Sequence, residues 1–150
     1  MKPLVVIGLG NPLMGDDGIG WHIARRLAAD RRLPETVEVI SGGTDLLRLA
    51  GQIEGRSRVM VIDAIEDGNP VGHVSLFPDN SPALDDCQQH AHHLSAVQAI
   101  GLLKLVAPVR FTLLGVSISS AAVAEDLSPA LAACVPAILD RVLQELMCIS

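Results

Sequence analysis

Aromatic side chains are nearly missing from this chain: they make up 2% of its 150 residues, and there is no tyrosine. The core must therefore be aliphatic, and aromatic platforms for stacking single-stranded bases are lacking. Positive charge is scarce as well. The 11 Lys and Arg residues face 17 Asp and Glu, for a net charge of −6. The basic residues cluster no further than the pairs Arg25-Arg26 and Arg31-Arg32. A nucleic-acid partner is disfavoured, because neutralising phosphates needs a positive face.

Cysteine is limited to Cys87, Cys134 and Cys148, which are far apart and have no metal-type spacing. That usage points to a reduced, cytoplasmic protein. The apolar run Leu4–Leu9 is too short for a signal segment or a membrane span, so no membrane association is expected. No repeat, low-complexity tract or linker interrupts residues 1–150, which read as one domain.

What the chain does have is 49% hydrophobic residues in strand-sized and helix-sized groups. Leu4–Leu9, Val37–Ile40, Val59–Ile62 and Phe111–Val116 are β-branched or apolar runs typical of strands buried on both faces. Helices are expected from about Asp17 to Asp30, across Leu46–Gly51, from roughly His92 to Leu105, and after Ser128-Pro129. Buried stripes should run through Ile19, Ile23 and Leu27, and through Leu131, Val135, Ile138, Val142 and Leu146. Pro136 interrupts the last stripe and removes a hydrogen bond to Ala132.

His73–Phe77 reads as a further strand. Its link from Asp63 is too short for a helical crossover, so it should be antiparallel. The fold class is therefore α/β: a single-domain, three-layer α/β/α arrangement around a mostly parallel, five-stranded twisted sheet. Ligands of such sheets bind beyond the carboxyl ends of the strands.

Three groups of polar residues fall there. Gly10-Asn11-Pro12-Leu13-Met14-Gly15-Asp16-Asp17-Gly18-Ile19-Gly20 follows the first strand. Leu13 stands where a dinucleotide fingerprint needs its third glycine, and two aspartates stand where a pyrophosphate would sit. Asp16 reads mainly as a helix cap and Asp17 mainly as a site residue. Asp63 ends an apolar strand, where a carboxylate needs a partner or a cation; a hydrogen-bonded strand-end turn with Ala64 and Ile65 is the structural alternative. His90, His92 and His93 precede the third helix at a spacing that matches neither a zinc finger nor His-Glu-x-x-His. Two carboxylates and an imidazole would make a coherent open metal site.

These segments resemble the hydrogenase maturation endopeptidases, which process the large subunit of nickel-containing hydrogenases. The loop Gly10–Gly20 is similar to the family's opening motif. Gly42-Gly43-Thr44, Val61-Ile62-Asp63-Ala64, the histidine before Leu94, Leu114-Gly115-Val116 and Leu127-Ser128-Pro129 follow in matching order. The resemblance implies a protease whose metal and catalytic set is Asp17, Asp63 and His92, with His90 and His93 as competitors for the histidine. It also implies that the nickel arrives with the substrate, a hydrogenase large-subunit precursor that loses a C-terminal extension.

Two other readings stand beside it. The opening Val6–Pro12 also resembles peptidyl-tRNA hydrolases, but the continuation differs and the acidic chain suits tRNA poorly. A non-catalytic nickel-dependent assembly module would use the same ligands without cleaving.

Overall fold

A computed structural model describes residues 1–85 and 96–149. Five strands form one sheet: β1 (Leu4–Gly8), β2 (Val37–Ser41), β3 (Arg58–Ile65), β4 (Val74–Phe77) and β5 (Arg110–Ser117). Their order is β2-β1-β3-β5-β4. The first four in that order are parallel neighbours, and β4 pairs antiparallel with β5. The single sheet and the strand directions are those expected from the sequence.

The helices are α1 (Ile19–Ala28), α2 (Ala50–Ile53), α3 (Ala96–Val106) and α4 (Pro129–Ile149). Two of them start later than the sequence suggests. Gly15–Gly18 forms a 3₁₀ turn ahead of α1, and Leu46–Leu49 forms another ahead of α2. The start expected near His92 for the third helix lies outside the described residues. Pro136 stands inside α4. Among the described residues, the polar stretch after β4 contains a short 3₁₀ turn, Pro82–Asp85.

Alternate strand residues point to opposite layers. Leu4, Val6, Met60, Ile62, Leu114 and Val116 pack against Ile19, Ile23 and Leu27 of α1 and the apolar face of α4. Val5, Ile7, Val59, Val61, Phe111 and Leu113 pack against α3, Leu46 and Ile53. The helical stripes read from the sequence are the buried ones, all at 3% exposure or less.

One close approach fixes where α1 begins. A Cβ on Gly8 would lie 2.0 Å from the carbonyl oxygen of Gly20, and one on Gly20 would lie 2.2 Å from that of Leu9 and 2.3 Å from that of Ile62. Backbone therefore packs on backbone where α1 crosses β1 and β3, and the turn before it is pressed onto the carboxyl end of the sheet. From β1 the chain passes to β2 on one side, then returns to β3 on the other. The strand order thus reverses between β1 and β3, and a crevice opens at such a point.

Candidate functional site

A cleft of about 650 Å³ opens at that reversal. Asp17 reaches it from the 3₁₀ turn after β1, and Asp63 from β3. Leu9, Gly10, Asn11, Met14, Thr44 and Asp45 line it too, together with Ala96 and Ala99 of α3. The two aspartates singled out in the sequence therefore share one cavity. His90, His92 and His93 lie outside the described residues. Cys87 does as well, and no serine or cysteine is among the described lining residues.

Asp63 does not end its strand, as the sequence suggested. β3 continues to Ile65 because β5 remains beside it, with Asp63 in register with Gly115 and Ile65 with Ser117. The half-buried Asp63 carboxylate accepts a hydrogen bond from the N–H of Ala64 at 2.8 Å. That bond favours the charged form, but burial outweighs it, and the charge of Asp17 adds repulsion. Together they raise the Asp63 pKa from an ordinary 3.8 to about 7. Asp17 is held from behind, where its Oδ2 accepts the N–H of Asn11 at 3.3 Å.

Asp16 has a different task from the one expected. Neither the 3₁₀ turn nor α1 has a side-chain cap. The buried Asp16 carboxylate instead accepts the N–H and the hydroxyl of Ser128, both at 2.7 Å. Ser128 is itself the cap of α4, its hydroxyl oxygen accepting the N–H of Leu131 at 3.3 Å. This tie fastens the Asp17 turn to a distant helix.

Sequence reasoning missed Asp45, a third carboxylate at the cleft. Its side chain accepts the N–H of Leu47 at 3.0 Å, which caps the turn Leu46–Leu49. An Asp placed just before an apolar run was the available signal, and it points only to that cap.

The cleft thus holds two carboxylates, that of Asp63 desolvated and repelled by the charge of Asp17. The family model for hydrogenase maturation protease matches residues 21–145. The chain belongs to the hydrogenase maturation protease family. Membership makes it a hydrolase of the protease class and sets aside the peptidyl-tRNA hydrolase reading. Among its relatives, the hydrogenase 2 maturation protease of Escherichia coli is 31% identical over 147 residues, covering 95% of this chain and 90% of that protein. The hydrogenase expression/formation protein HupD of Rhodobacter capsulatus is 32% identical over 116 residues, and the match spans 75% of this chain and 55% of HupD. The solved structure of the hydrogenase maturating endopeptidase HybD from Escherichia coli superposes with a TM-score of 0.80 at 27% identity. It covers 98% of this chain and 93% of HybD.

Proposed function

We propose that this maturation protease removes a C-terminal extension from the nickel-loaded precursor of a [NiFe]-hydrogenase large subunit, with Asp17, Asp63 and His92 contacting the nickel that the precursor carries. The observation that carries the reading is the pairing of Asp17 and Asp63 in one cleft, where burial and mutual repulsion raise the Asp63 pKa to about 7. A divalent cation relieves that repulsion, and hard oxygen donors together with an imidazole suit nickel. Ala96, which lines the cleft, follows the three histidines closely in sequence.

The metal is cargo in this scheme and serves as a checkpoint. Two carboxylates and one imidazole complete the coordination of a nickel ion held by the precursor's thiolates, so a loaded precursor binds and an empty one does not. Specificity is the difference between those two affinities. The absence of serine and cysteine from the described lining fits direct hydrolysis by water, in an aspartic-type site. The free thiols of Cys134 and Cys148 suit a cytoplasmic setting.

Incubation with nickel-loaded and nickel-free precursor, read as the mass of the large subunit, tests the reading. Loss of the extension from the loaded form alone supports it. Equal cleavage of both removes the checkpoint, and binding without cleavage favours the assembly-module alternative.

A further inference from the structure

The segment Gly42-Gly43-Thr44 leaves β2 at the rim of the cleft, and its two glycines are not alike. Gly42 is buried; a Cβ there would lie 2.8 Å from Leu49 Cδ1 and 3.0 Å from Ile7 Cγ2. Packing accounts for it. Gly43 has no such account. Among the described residues, an added Cβ at Gly43 meets nothing within 4 Å, and its φ lies outside the left-handed region. A glycine that the fold does not require costs stability, because it enlarges the conformational freedom of the unfolded chain.

The position of Gly43 supplies a reason. Its carbonyl accepts the N–H of Gly10 at 2.9 Å, and both Gly10 and the next residue, Thr44, line the cleft. Gly43 is therefore fixed at the rim. Among the described residues, the N–H groups of Gly43 and Thr44 have no hydrogen-bond partner. Two unused donors beside open space, at the end of an edge strand, are what an extended peptide uses when it adds main chain to main chain.

We propose that Gly43 is a substrate-contact residue: the precursor segment bearing the scissile bond lies against Gly43 and Thr44, in space that any side chain at position 43 would fill. This rests on the protease reading above and adds a specificity-determining position to it. Gly51 provides an internal control. It is equally open and has an ordinary φ, but it stands on α2 and is not among the cleft-lining residues.

The test compares Gly43→Ala, Gly43→Val and Gly51→Ala with the wild type, using nickel-loaded large-subunit precursor and thermal melts. Gly43→Ala should leave the melting temperature unchanged or slightly raised. It should raise KM by roughly tenfold with kcat within about twofold, the signature of lost binding, and Gly43→Val should raise KM further. Gly51→Ala should process normally. If Gly43→Val has the wild-type KM, the proposal is overturned while the protease reading stands. A lowered melting temperature for Gly43→Ala would make Gly43 a packing residue and also overturn it. If the wild type cleaves nothing, both readings fall.

Discussion

Asp16 and Ser128 are 112 residues apart in sequence and joined by two hydrogen bonds of 2.7 Å, one from the serine N–H and one from its hydroxyl. The bond pair links the turn that carries Asp17 to the first residue before α4. It makes the site turn part of the core rather than a free loop.

Asp16→Ala should therefore lower stability by about 2–3 kcal/mol, the scale of hydrogen bonds to a buried charge. Ser128→Ala should cost somewhat less. The double variant should cost clearly less than the sum, because both changes remove the same contact. Urea unfolding of the four proteins measures this coupling, and strict additivity would mean that the tie carries no energy.

The raised pKa of Asp63 makes stability depend on pH in a definite direction. The native state keeps the Asp63 proton up to about pH 7, whereas the unfolded chain releases it near 3.8. Between those values the native state binds more protons, so the contribution of Asp63 to stability declines as pH rises through that window. The stability difference between metal-free wild type and Asp63→Asn should widen in favour of the variant from pH 4 to pH 7. Melting curves across that range check it.

The same substitution separates function from stability. The side-chain amide introduced by Asp63→Asn retains an oxygen to accept the Ala64 N–H and removes the repulsion with Asp17. The variant should thus be as stable as the wild type at neutral pH, or more so, yet fail to process nickel-loaded precursor. Functional residues often impose such a stability cost. A destabilised but active variant, seen in melts and a cleavage assay, would make Asp63 a structural residue.

Gly20→Ala should be among the most damaging small substitutions in the molecule. The added methyl meets two backbone oxygens at 2.2 and 2.3 Å, and neither can move without shifting β1 or β3. A loss of about 3 kcal/mol or more is expected, at the upper end of overpacking costs. Chemical denaturation gives the value, and near-normal stability would place α1 further from the sheet.

The strands and their directions were legible because each strand is a compact apolar run and the short link after β3 forbids a helical crossover. Strand length was less so. Asp63 and Ala64 break the apolar pattern of β3, and the strand continues only because β5 offers backbone partners as far as Ser117. That Asp17 would face the cleft was legible from its place in a glycine-flanked loop after the first strand. The task of Asp16 was not, since its partner is distant in sequence and an Asp at a helix start ordinarily caps that helix. The 3₁₀ turns were hidden for a similar reason, since apolar spacing over four residues does not separate them from α-helix.

The central claim is that Asp17 and Asp63 reach the nickel that the precursor holds. Nickel-edge X-ray absorption on loaded precursor, alone and in rapidly frozen complex with this protein, tests it most directly. The account predicts that complex formation adds oxygen or nitrogen neighbours at roughly 2.0–2.2 Å, and that the Asp17→Ala/Asp63→Ala double variant adds none of those oxygens. A nickel environment unchanged by the wild-type protein would contradict it.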